Sequence, residues 1–163
     1  MTDARDQELD GLFRALPTEF VAARDALSAQ RKARGDKAGA ASVKALKRPT
    51  PGAWALNQLH FRGARSLDEA RRATDAVRML HARDGVSPQE LRTAHEAQRS
   101  AHQRVTDEAL RLCEEAGLPG GPQQAKKFAV TLQGVLSGLG DEPLGRMTHD
   151  LTPSGFDAIS SLG

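Results

Sequence analysis

Five histidines, one cysteine and a tight cluster of bases are the residues in this chain whose types could do chemistry. His95 and His102 are seven apart and can share a helix face, with Arg99 between them. A zinc pair on one helix takes the i, i+4 spacing of H-E-x-x-H, and His95-Glu96-Ala97-Gln98-Arg99 lacks the second histidine. The fixed charge of Arg99 would also repel a metal, so both rings read as surface polar groups. Cys113 has Glu114 and Glu115 beside it, which raise rather than lower a thiol pKa. It reads as a buried structural thiol. No G-x-S-x-G elbow is present, and no glycine-rich loop runs into Lys-Ser or Lys-Thr. The chain is therefore expected to be no enzyme and to hold no cofactor and no metal.

The bases carry the better candidate. Lys44, Lys47 and Arg48 precede Thr50-Pro51, which has the form of a helix start. Thr50 can accept from amides of the first turn, and Pro51 suits the first helical position, where its missing N–H is not needed. Lys47 and Arg48 follow Lys44 by three and four, so all three share a face if the preceding helix reaches that far. Phosphate oxygens suit such a corner, with bases around the amide end of a helix. Arg34 and Lys37 extend the candidate site. Two helices joined by a short turn also have the outline of a helix-turn-helix. Gly52, Ala53, Trp54 and Ala55, however, are poor residues for reading base edges. Contact with DNA or RNA is thus expected through phosphates and to be tolerant of sequence.

The helix that must position this corner is the centre of the fold. Ala53, Trp54, Ala55, Leu56, Leu59 and Phe61 cover most of its circumference, and a helix apolar nearly all round is a buried one. Before it, periodicity predicts helices from about Asp3 to Leu16, from Pro17 to about Arg34 and from Asp36 to about Lys47. After it, Ser66-Leu-Asp-Glu69 and Ser87-Pro-Gln-Glu90 both have the form of a capping box. They open a fifth helix to about Arg83 and a long sixth from Pro88 to about Ala116, paired as an antiparallel hairpin. The seam of the sixth, Leu91, Ala94, Ala101, Val105, Ala109 and Leu112, is narrow, so a homodimer through residues 88–116 is a second expectation. Gly117 to Pro122 reads as a linker or hinge. A seventh helix, about Gln123 to Leu139, carries Phe128, Leu132, Val135, Leu136 and Leu139. One or two short helices are expected beyond Gly140, anchored by Leu144, Met147, Leu151, Phe156 and Ile159.

Composition agrees with an all-α, single-domain chain. There are 26 Ala and 19 Leu but only 7 Val, 1 Ile and no Tyr, and strands want the β-branched and aromatic residues that are scarce here. The domain divides into a compact N-terminal helical region (residues 1–63), a helical hairpin (66–116), the linker (117–122) and C-terminal helices (123–163). The formal charge is +2, yet residues 31–72 alone carry +8 and the segments on either side −3 each. Such asymmetry points either to a polyanionic partner or to a basic surface paired with the acidic ends of the same chain. A lone cysteine, a polar acidic N-terminus and no apolar run near the roughly 20 residues of a membrane span predict a cytoplasmic, soluble protein with no membrane partner.

The runs Leu16 to Leu27, Val43 to Pro49, Trp54-Ala-Leu-Asn-Gln-Leu59 and Asp150-Leu-Thr-Pro-Ser-Gly-Phe-Asp-Ala158 resemble a family of uncharacterised bacterial helical proteins. The likeness covers the N-terminal third and the extreme C-terminus. It implies a helical fold and a bacterial source, and assigns no activity, cofactor or binding residue. The reading is a non-enzymatic helical binding protein, with nucleic acid as the expected partner. The alternative is a structural or oligomerising helical scaffold for protein–protein interaction.

Overall fold

The computed structural model describes residues 3–152. They form seven α-helices: α1 Ala4–Arg14, α2 Pro17–Ala33, α3 Lys37–Lys44, α4 Pro51–Phe61, α5 Arg65–His81, α6 Pro88–Glu115 and α7 Pro122–Leu136. The fold is all-α, a helical bundle with a long antiparallel hairpin of α5 and α6. No helix among the described residues is long and apolar enough to cross a membrane.

Local chemistry sets most helix starts. Asp3, Asp36, Thr50 and Ser87 are N-caps whose side chains accept a first-turn amide. The box at Ser87 closes in both directions, with Glu90 N–H on Ser87 Oγ at 3.1 Å and Ser87 N–H on Glu90 Oε2 at 2.9 Å. The expected box at Ser66 does not form. Helix α5 begins earlier, at Arg65, with Ala64 as its cap. Ser66 Oγ instead donates to Glu108 on α6, and Glu69 is held by Arg65 at 3.0 Å and Arg104 at 3.5 Å. Tertiary partners outcompete the local cap.

Helix α4 is the centre. Every residue from Gly52 to Leu59 is buried, because α1, α6 and α7 all pack on it. Two of its polar side chains reach back to the end of α1: Trp54 Nε1 donates to Ala15 O at 3.0 Å and Gln58 Nε2 to Phe13 O at 3.0 Å. The main core joins α4 to Leu67 and Ala70 of α5, Ala101, Val105, Ala109 and Leu112 of α6, and Phe128, Leu132 and Leu136 of α7. A second cluster, Leu12, Phe13, Phe20, Leu27 and Val43, binds α1, α2 and α3 together. The Phe13 and Phe20 rings meet edge to face at 5.5 Å.

Two helices end before the sequence pattern predicts. Helix α3 stops at Lys44 rather than about Lys47. Helix α7 stops at Leu136 rather than Leu139, because Gly138 turns the chain at φ 77°. Leu139, expected in the core, is exposed. No helix forms in 141–152. That stretch is a strap of turns and irregular backbone laid across α4, with Met147 buried and Leu144 packed on the core. Phe156 and Ile159 lie outside the described residues.

Candidate nucleic-acid interface

The strap fixes the local chemistry of the α4 corner. Asn57, wholly buried, donates through Nδ2 to Met147 O at 2.9 Å and accepts from Gly145 N–H and Met147 N–H, both at 3.0 Å. Gly145 can deliver its N–H because its φ of 90° is open to glycine, and because a Cβ there would press on His60 at 3.0 Å. Further along, Thr50 N–H donates to Thr148 O at 3.0 Å. Thr50 Oγ1 donates to Asp150 Oδ1 at 3.0 Å while accepting from Ala53 N–H at 3.2 Å.

Asp150 thus occupies the amide end of α4, where a phosphate was expected. A Cβ built on Gly52 would lie 2.7 Å from Asp150 Oδ1 and 3.2 Å from Gln124 Nε2. The carboxylate complements the positive end of the helix dipole and repels a second anion. Gln124 Nε2 is buried in the same corner without a hydrogen-bond partner among the described residues. Cys113 Sγ approaches Pro51 O at 3.6 Å, and burial together with the Asp150 charge pushes its thiol up to about 11. It is a structural thiol beneath the corner.

The six candidate residues separate into two groups. Arg34 pairs with Glu8 at 2.6 Å, and Lys44 with Asp25 at 2.8 Å. Both carboxyls are held below their ordinary values, Glu8 chiefly by Arg34 and Asp25 chiefly by Lys44. Those two bases, with Thr50, are committed within the chain. Lys37, Lys47 and Arg48 are exposed and have no acidic partner within 4.0 Å among the described residues. Because α3 ends at Lys44, Lys44, Lys47 and Arg48 do not share one helix face. Lys47 and Arg48 stand on the non-helical connector between α3 and α4 instead. That connector is fixed at both ends, by Arg24 Nη1 on Leu46 O at 3.0 Å and by the bond from Thr50 to Thr148, and Pro49 within it is buried.

The helix-turn-helix outline fails on burial. A recognition helix needs an exposed polar face to enter a groove, and α4 has none between Gly52 and Leu59. Of the α6 histidines, His95 is exposed, as its sequence pattern predicts, and His102 is not. His102 is half-buried, its ring Nε2 2.9 Å from the Thr74 hydroxyl, and burial lowers its pKa. His95 meets the ring of His81 at 5.5 Å.

One cluster escaped the sequence reading. Asp141, Glu142 and His149 come together in the turn after α7, with one donor atom from each within 4.8 Å of the others. Asp141 and His149 also line a cleft of about 640 Å³ with Val130, Gln133, Leu139 and Leu151. The only sequence signal for it is a pair of acids followed by a histidine across a Pro- and Gly-containing turn. No family model, no curated protein and no solved structure matches this chain.

Proposed function

We propose that the chain is a non-enzymatic binding protein whose partner is nucleic acid, contacted through phosphates without regard to sequence. The observation that carries this reading is the pinned connector. It presents Lys47 and Arg48 to solvent on a backbone held at both ends, with no acid of the described residues drawing off their charge. Lys37 adds a third uncommitted base near the start of α3. The contact is weak, since the amide end of α4 is already filled by Asp150.

The test is electrophoretic mobility shift against duplex DNA, single strands and RNA at two salt concentrations. A log–log salt slope of about −0.9 per neutralised phosphate is expected on duplex DNA. The triple variant Lys37→Ala, Lys47→Ala, Arg48→Ala flattens that slope on every sequence alike. The variant Arg34→Ala, Lys44→Ala leaves the slope nearly unchanged, because its charges are already paired. No shift of the wild-type protein at about 50 mM salt, a condition that favours phosphate contacts, ends the reading.

A second reading, a helical scaffold that pairs through its hairpin, rests on the outer half of α5 and α6. From Pro88 to Ser100 no residue of α6 is buried, and Met79 on α5 is 72% exposed. The inner seam is taken, since α4, α5 and α7 cover Ala101 to Leu112. A dimer would therefore have to use this outer half. Light scattering at micromolar concentration, with Met79→Lys as the disrupting variant, tests it.

A further inference from the structure

His149 lies between two carboxylates. Its Nε2 is 3.2 Å from Asp141 Oδ1 and its Nδ1 is 3.2 Å from Glu142 Oε2. A neutral imidazole carries one N–H and one lone pair. The N–H satisfies one carboxylate, and the other ring nitrogen then faces carboxylate oxygen lone pair to lone pair. A metal ion shared by the three groups relieves that contact.

Three observations favour the metal. The Glu142 carboxylate is aimed by two donors, Thr148 N–H at 2.7 Å and Thr148 Oγ1 at 2.6 Å, and such outer partners orient metal ligands. No lysine or arginine of the described residues lies within 4.0 Å of Asp141 or Glu142, so His149 is the one charge partner either has among them. One donor atom from each of the three residues also lies within 4.8 Å of the other two. Around a zinc ion bound at about 2.1 Å, tetrahedral ligand atoms stand about 3.4 Å apart. A modest rotation of the imidazole, presenting one nitrogen to an ion shared with both carboxylates, completes three ligands and leaves further positions to water.

We propose that Asp141, Glu142 and His149 form a binding site for a divalent transition-metal ion, with Zn²⁺ the best match to one imidazole and two carboxylates. The ion closes the turn between α7 and the stretch of the strap that caps α4. It therefore stabilises the fold from a point outside the core. Mg²⁺ and Ca²⁺ prefer sites made of oxygen alone and compete poorly.

The test uses untagged, chelator-treated full-length protein titrated with ZnCl₂ by calorimetry near neutral pH, with thermal unfolding in parallel. One Zn²⁺ per chain and a rise in Tm are expected, unaffected by millimolar Mg²⁺. His149→Ala and Asp141→Asn each weaken binding at least about tenfold, as loss of a supporting or ligating group does. Asp141 is well exposed, so its variant keeps the fold even if His149→Ala does not. His81→Ala with His95→Ala, which removes the other close ring pair, leaves the affinity unchanged. Absence of saturable binding, or equal affinity in Asp141→Asn, overturns the proposal.

Discussion

Asn57 and Met147 share two hydrogen bonds: Asn57 Nδ2 donates to Met147 O at 2.9 Å, and Met147 N–H donates to Asn57 Oδ1 at 3.0 Å. A third bond, from Gly145 N–H, fills the same side-chain oxygen. Each partner is buried away from water, so the amide of Asn57 replaces solvent for three backbone groups at once. Asn57→Ala leaves all three unsatisfied. It should cost about 3 kcal/mol or more, given 1–3 kcal/mol per orphaned group. Urea unfolding should show a lower midpoint with an unchanged m-value.

Gly52 and Gly11 make a matched pair. Both are helical, and Ala is preferred over Gly in a helix by about 1 kcal/mol. At Gly11 a Cβ meets nothing within 4 Å, whereas at Gly52 it strikes Asp150. Gly11→Ala is expected to stabilise the protein. Gly52→Ala is expected to destabilise it by about 1–3 kcal/mol, the usual cost of overpacking. Chemical denaturation of the two variants checks the opposite signs.

Trp54 is 5% exposed and hydrogen-bonded to Ala15 O. Its fluorescence should be blue-shifted in the native state and move to the red on unfolding. Trp54→Ala should cost about 3–5 kcal/mol. Trp54→Phe keeps most of the packing and loses the bond, a loss of about 1 kcal/mol.

Cys113 should resist thiol reagents at pH 8 until the protein unfolds. Its folded pKa of about 11 lies above the ordinary 9.0. The native state therefore keeps a proton that the unfolded chain gives up first as pH rises. That contribution to stability is whole below about pH 9 and is lost as pH climbs towards about 11. Cys113→Ala should remove this alkaline slope from a pH series of urea midpoints.

At acid pH the sign reverses. Glu8 is held below its ordinary 4.5, first by Arg34 and also by Arg31, and Asp25 below 3.8 by Lys44 and Arg24. As pH falls past those ordinary values the unfolded chain takes up protons first, so stability is lost as the folded values are crossed. Glu8→Gln combined with Asp25→Asn should flatten the acid limb of the same pH series.

The helices were legible because their signals are local. Pro17, Asp36, Thr50-Pro51 and Ser87-Pro88 stop or start the chain within one turn of themselves. Ser66 carries the same pattern as Ser87 and fails, because Glu108 on a neighbouring helix is a better partner than its own amides. The candidate site was legible only as a list of bases. Charge counting finds Arg34 and Lys44 as readily as Lys47 and Arg48. Only the packing of α1, α2 and α3 shows that Glu8 and Asp25 neutralise the first pair. Asp150 at the tip of α4 and the meeting of Asp141 with His149 depend on a strap whose path no local pattern encodes.

The strap also ties the order of synthesis to the order of folding. Helix α4 takes its N-terminal carboxylate partner from residue 150 and the partners of Asn57 from residues 145 and 147. At about 5–20 residues per second, those groups are made on the order of 5–20 s after the helix itself. Until then a nascent chain displays a segment apolar on nearly every side, with the Asn57 amide unmatched. Such a segment is a natural substrate for chaperones that shield exposed hydrophobic surface. A ribosome that stops near residue 140 releases a protein without a finished centre, although every residue of that centre except Met147 has already been translated.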